Sequence, residues 1–318
     1  MHVAEDDRVE EARRLLSAWL PRSRLVSAES LRGAGADVWL KLESELPTGS
    51  FKPRGAIYAL AAQRQRGPVP EVITCSTGNH GAAVAYAARL FGMRATVFLP
   101  EGANPAKRAR IAALGARIVE SGADLVAAGE RAAACAAQSG AYFLDDATAP
   151  DVPVGPATIA CEILEQEPSV DCVVAPIGDT ALVRGIAAAA RRRRPGIRIV
   201  GVQAERAPAY TLSWRSGEVV STERCDTIAD GLATRTPNAD NVRAIRELVD
   251  EVLLVSEDEM LRAMRHLLLE EHVVAEPAGA ASTAAFLQAA DRFRGRRVAL
   301  VVSGANVTAA VVRAALGG

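Results

Sequence analysis

The sequence has no excess charge of either sign: 37 Lys and Arg stand against 38 Asp and Glu in 318 residues, a net charge of −1. The field that would favour nucleic acid or an anionic membrane is therefore missing. The one basic run, Arg191 to Arg194, ends an alanine-rich helical stretch before Pro195-Gly196. Cations complement a helix dipole there, so the run reads as a solvated helix end. Cysteine is sparse, and none of Cys75, Cys135, Cys161, Cys172 and Cys225 forms a C-x-x-C pair or a metal-like spacing with histidine. Reduced thiols in a cytosolic protein follow, with Cys75 a small buried hydrophobe. No apolar run reaches transmembrane length. Glu5, Asp6, Asp7, Arg8, Glu10 and Glu11 make the N-terminal stretch too charged for a signal peptide. Internal repeats and low-complexity linkers are also missing.

What is present is a chain 49% apolar and 24% charged, enough for an ample core and, by length, about two domains. Residues 5–20 predict an amphipathic helix. Short β-branched runs bounded by Gly or Pro predict strands at 38–43, 72–76, 95–100, 117–120, 172–176, 197–202 and 298–303. Helices are expected between them, at 81–90, 107–114 and through Ala137. That alternation is the signature of an α/β fold with mostly parallel sheets. Residues 150–157, with Pro150, Pro153 and Pro156, read as the clearest irregular connection and a candidate domain boundary, with 46–145 a compact α/β unit.

Four segments carry the chemistry. In Ser50-Phe51-Lys52-Pro53-Arg54-Gly55-Ala56, Lys52 enters a helix just after the turn Pro47-Thr48-Gly49. Alone, it reads as a solvated lysine in a first turn; partly desolvated, its amine can form a Schiff base. Ser76-Thr77-Gly78-Asn79-His80-Gly81 joins a strand end to a helix N-terminus, where unpaired N–H groups suit a carboxylate. An N-cap with a glycine turn accounts for part of it but not for the whole hexapeptide. Pro176-Ile177-Gly178-Asp179-Thr180-Ala181-Leu182 is a second strand-to-helix turn, its small residues letting backbone N–H groups approach a phosphate. Ser303-Gly304-Ala305-Asn306 follows the last strong strand and by itself reads as a turn into a C-terminal helix.

Together these segments resemble the pyridoxal-phosphate enzymes of the tryptophan-synthase-β-like group (fold type II), in the branch of serine/threonine dehydratases and serine racemases. Asp230-Gly231 and Glu276-Pro277-Ala278-Gly279-Ala280 fall in that family's order, and the match runs from about residue 20 to 310. The resemblance implies two open, mostly parallel twisted sheets flanked by helices, with the cofactor cleft between domains. Residues 1–45 plus 146–318 would form the large cofactor-binding domain and 46–145 the small one. It implies that Lys52 holds the cofactor, pyridoxal 5'-phosphate, and serves as base at Cα. Asn79 would bond the cofactor's phenolic oxygen, and Gly178, Asp179, Thr180, Ala181 and Leu182 would cup its phosphate. Ser303 would face the pyridine nitrogen, and Ser76, Thr77, Gly78 and His80 would receive the carboxylate of an amino acid substrate. A serine hydroxyl leaves the ring nitrogen largely neutral, which favours β-elimination to a 2-oxo acid and ammonia. The leaving hydroxyl needs a proton, which in this family is thought to come from the bound phosphate.

Two departures bear on that expectation. Where the family often has four glycines, this chain reads Gly178-Asp179-Thr180-Ala181, and an aspartate beside a phosphate is repulsive unless its side chain turns away. Thr77 stands where simple dehydratases carry alanine and racemases serine, so racemisation stays open. At the racemases' divalent-cation site the matching positions are Gln203 and Ala209, with Glu205 as an offset candidate; no metal is expected there. The reading is a cytoplasmic homodimeric ammonia-lyase acting on a serine- or threonine-like β-hydroxy amino acid, with no nucleic-acid or membrane partner. The alternatives are a racemase, a β-replacement enzyme (disfavoured by His80), and a dehydratase of a specialised substrate such as a hydroxyaspartate-like or compatible-solute-derived amino acid. A cofactor-carrying protein without turnover is argued against by Lys52, Asn79 and Ser303.

Overall fold

The strands separate into two sheets. In the computed structural model, which describes residues 6–317, the larger sheet has the order β1 (Leu25–Ser27), β2 (Asp37–Leu42), β10 (Arg297–Val302), β7 (Cys172–Pro176), β8 (Arg198–Ala204) and β9 (Glu251–Val255). The smaller has the order β5 (Arg117–Glu120), β4 (Arg94–Leu99), β3 (Glu71–Cys75) and β6 (Tyr142–Phe143). Among the described strands only β1 and β2 pair antiparallel.

The apolar runs of the central strands follow from helices covering both faces. Along β10, Val298, Leu300 and Val302 enter one core with Leu40, Val174 and Val202, beneath the helices Glu257–Leu269 and Pro277–Gln288. Ala299 and Val301 point the other way, joining Val173, Ala175 and Ile199 beneath Val154–Gln166 and Ala181–Arg193. That is the two-residue period of a strand used on both sides. In the smaller sheet, Val72 and Val97 meet the helices Lys52–Arg66 and Asn79–Leu90, while Ile73 and Phe98 meet Leu125–Ser139.

The predicted strands are found to within a residue or two, and three strands were not anticipated. β1 and β6 are too short to carry a period, and β9 lacks the Gly or Pro that bounded the others. The first helix spans Asp6–Ser17, shorter than the expected 5–20, and Glu5 lies outside the described residues. The connection at 150–157 is corrected: a helix already runs over Val154–Gln166. Pro156 fits its first turn, where a missing N–H leaves no bond unmade. The arginine run ends the helix Ala181–Arg193 as expected, exposed or half-buried, and is anchored as well. Arg191 pairs with Asp250 at 2.6 Å, Arg193 with Glu10, and Arg194 donates to the carbonyls of Val170 and Pro168.

Candidate active site

Lys52 is the first residue of the helix Lys52–Arg66, with Pro53 in its first turn, where fixed φ favours helix entry. The turn before it holds Thr48 at φ 69°, in the left-handed region. The Lys52 ammonium lies 5.0 Å from the centre of the Phe51 ring and donates a hydrogen bond to Asp146 Oδ2. Two residues on, Arg54 fastens the helix to the larger sheet. Its Nε donates to Glu43 Oε2 at 2.8 Å and its Nη1 to Glu162 Oε1 at 2.7 Å. Lys41, fully buried, donates to the other oxygen of Glu162 at 2.6 Å. Burial pushes Glu162 toward protonation, but Arg54 and Lys41 outweigh it and hold the carboxylate below its usual range.

The loop after β3 reaches its helix at Asn79, two residues earlier than the predicted 81. Ser76 Oγ accepts from Gly78 N at 3.2 Å, and Thr77 is half-buried. His80 is buried, with Nδ1 3.1 Å from Asp146 Oδ1 and Nε2 3.2 Å from the Leu144 carbonyl. Asn79 Nδ2 donates to Glu276 Oε1 at 2.6 Å, and Asn79 Oδ1 accepts from Asn306 Nδ2. The same Asn306 amide donates to Thr48 O at 2.8 Å, tying this loop to the turn before Lys52.

At the end of β7 the chain passes so close to Gly231 that a Cβ on Gly178 would sit 2.1 Å from the Gly231 carbonyl oxygen. Asp179 Oδ1 accepts from Thr234 Oγ1 at 3.0 Å, so its side chain is engaged with Thr234. Burial, reinforced by the charge of Asp146, raises the Asp179 carboxyl above its ordinary value. Thr180 caps the following helix at φ 68°, a conformation rare for a β-branched residue. Ala181 and Leu182 send their side chains into apolar cores, leaving backbone N–H groups as their contribution to the turn.

After β10, Ser303 O accepts from Phe51 N at 3.0 Å and Gly304 bridges to Ser50, placing Ser303 against the start of the Lys52 helix. A Cβ on Gly304 would lie 2.0 Å from Glu276 Oε1. Burial raises the Glu276 carboxyl to about 7, against the opposing pull of Asn79, Lys107, Arg110 and Lys52.

Pairwise contacts thus link the segments of Lys52, Asn79, His80, Asp179 and Ser303 at or just beyond the carboxyl ends of β2, β3, β7 and β10, where open α/β sheets bind ligands. Ser76, Thr77 and Gly78 form the turn that leads into the Asn79 helix. Asp146 was missed by sequence reasoning. The pair Asp145-Asp146, one residue beyond β6, was its signal, but a two-residue strand hides it. Glu276, Asn306 and Arg54 stood inside recognised motifs without an assigned role. Cys75, half-buried, has its thiol pushed up to about 11 by burial and the charge of Asp145, which disfavours its thiolate. Gln203 Oε1 accepts from Thr211 N and Oγ1, and no cluster of three metal-ligating groups occurs among the described residues. No described helix is long and apolar enough to cross a membrane.

Buried polar side-chain atoms without a hydrogen-bond partner among the described residues include four around these loops: Thr48 Oγ1, Ser50 Oγ, Thr180 Oγ1 and Arg184 Nε. Buried polar groups are normally paired, so this concentration marks a place built for a polar ligand. Donors at the Gly178–Leu182 turn, an amine on Lys52 and a hydroxyl on Ser303 fit the phosphate, aldehyde and ring nitrogen of pyridoxal phosphate.

Comparison with known proteins agrees. The chain is 36% identical over 304 residues to an L-threonine ammonia-lyase of Thermotoga maritima, covering 94% of this chain and 75% of that one. It is 34% identical over 311 residues to the catabolic L-threonine dehydratase TdcB of Escherichia coli K12, covering 96% and 93%. A structure of maize serine racemase superposes with a TM-score of 0.92 at 28% identity, over 99% of this chain and 97% of that one. The family model described as pyridoxal-phosphate dependent enzyme matches residues 18–304, and the chain belongs to that family.

Proposed function

We propose that the protein is a pyridoxal-phosphate-dependent ammonia-lyase that converts a serine- or threonine-like β-hydroxy amino acid to a 2-oxo acid and ammonia. The observation that carries this reading is the meeting of Lys52 with Asp146 and His80. The bound cofactor supplies an aldehyde that engages an amine and an electron-withdrawing ring that weakens the bond from Cα to hydrogen. Lys52 would hold the cofactor and take the Cα proton, with Asp146 and His80 setting its position. The N–H groups and hydroxyls of Ser76 to Gly78 would receive the substrate carboxylate. Ser303, a hydroxyl rather than a carboxylate, suits loss of a β-substituent over prolonged carbanion chemistry.

A second reading, racemisation, is favoured by Thr77, a half-buried hydroxyl residue in the loop that would receive the substrate carboxylate. The division into residues 1–45 with 146–318 and 46–145 is supported by the segregation of β3–β6 into their own sheet. A cytoplasmic homodimer completes the reading, and sedimentation equilibrium checks the dimer.

The test is a panel of L- and D-β-hydroxy amino acids incubated with cofactor-supplemented protein, following visible absorbance, 2-oxo acid and chirality together. We expect 2-oxo acid from at least one member, and a loss of roughly 10³-fold or more in Lys52→Ala. Cofactor bound without any 2-oxo acid would sink the lyase assignment, and inversion of chirality alone would establish the racemase.

A further inference from the structure

Arg184 lies four residues after Thr180 in the helix Ala181–Arg193 and is only 1% exposed. A guanidinium presents five N–H donors and keeps its charge at any physiological pH. Here Nη2 reaches the Ala147 carbonyl at a long 3.4 Å, and Nε has no partner among the described residues. Asp146 and Asp179 contribute an attractive field without a hydrogen bond to it. Leaving a buried cation in this condition is strongly unfavourable, so its retention calls for an anion.

The surroundings indicate which anion. Residues four apart share a helix face, and their side chains lean toward the helix N-terminus, which places Arg184 behind the turn Gly178-Asp179-Thr180. Thr180, 2% exposed, holds the second unpartnered buried donor there, Oγ1. Asn241 Nδ2 donates to Ala147 O at 3.0 Å and to Asp179 O at 3.4 Å, joining the Arg184 contact to the back of the turn. Asp179 adds negative charge where a phosphate would have to settle, and the helix N-terminus offsets only about half an elementary charge.

We propose that Arg184 is the counter-charge of this phosphate site: its guanidinium, behind the Gly178–Ala181 turn, balances the phosphate monoester and makes an aspartate at position 179 tolerable. The inference rests on reading the turn as the cofactor's phosphate cup, and its test separates the two. Apoprotein of the wild type, Arg184→Met and Arg184→Lys is titrated with pyridoxal phosphate and with pyridoxal, which lacks the phosphate. Losing a charge-assisted partner predicts pyridoxal phosphate binding ~10- to 100-fold weaker in Arg184→Met, partly recovered in Arg184→Lys, with pyridoxal affinity changed by less than ~3-fold. Inorganic phosphate should raise the thermal midpoint of the wild type and not of Arg184→Met. Unchanged affinity for pyridoxal phosphate, or equal loss for both aldehydes, overturns the inference. If Arg184→Met does not fold, Asp179→Asn decides. Removing that charge should tighten pyridoxal phosphate binding and leave pyridoxal unaffected, and no tightening overturns the proposal. A wild type that binds neither aldehyde overturns the cofactor reading beneath it.

Discussion

Lys52 Nζ donates a hydrogen bond to Asp146 Oδ2, while the second oxygen of the same carboxylate stands 3.1 Å from His80 Nδ1. One aspartate, placed just after β6, therefore faces both the lysine that begins one helix and the histidine in the first turn of another. Burial alone would push its carboxyl upward, yet Lys52 and His80 hold it well below the usual carboxylate range. The site thus arrives at its chemistry with the lysine side chain already directed.

Asp146→Asn keeps the shape and removes the charge. A carboxylate with a lowered native pKa adds stability above its unfolded value near ~3.9 and loses it as pH falls further. The variant should be about 1–3 kcal/mol less stable than the wild type at pH 7, a gap that narrows below about pH 4. Urea unfolding of the apoprotein across that range measures it. Equal midpoints at pH 7 would remove Asp146 from the account of how Lys52 is held.

Glu276 works in the opposite sense. Its native carboxyl titrates at about 7, against ~4.3 in the unfolded chain. Between those values the native state binds the extra proton, so stability declines as pH rises through the window and stays lower above it. Glu276→Gln retains an acceptor for Asn79 and removes the titration. The apo-variant should match the wild type near pH 4.5 and exceed it at pH 8 by on the order of 1–3 kcal/mol. A difference that does not change between these pH values would mean that Glu276 is not the group that titrates.

The fold was legible because buried parallel strands announce themselves as β-branched runs, and because each functional loop follows such a run. Lys52, Asn79 and Ser303 stood in short segments whose small and polar residues serve backbone approach as much as chemistry. What stayed hidden depends on contacts distant in sequence. Asp146 follows a strand of two residues and acquires its meaning 94 positions from Lys52. The state of Glu276 comes from burial beneath the Ser303–Asn306 loop, which its own neighbours do not reveal. Asp179 was a conflict in the sequence, and its bond to Thr234 shows how the side chain is occupied.

Arg54 offers the clearest separation of structural anchoring from chemistry. Its guanidinium, 2% exposed, binds Glu43, Glu162 and Thr158, and so joins the first turn of the Lys52 helix to the end of β2 and to the helix Val154–Gln166. Arg54→Met would leave the fully buried Glu43 short of its main partner. Removing one member of a buried pair costs about 3–5 kcal/mol, most of it the penalty of the stranded charge. The double variant Arg54→Met/Glu43→Gln should regain part of that loss, because the stranded charge goes with it. Urea unfolding of the single and double variants gives the coupling directly. If the helix start is what positions Lys52, kcat/KM should fall in Arg54→Met and recover in step with stability in the double variant. A single variant within ~1 kcal/mol of the wild type would show that the helix start is held by packing alone.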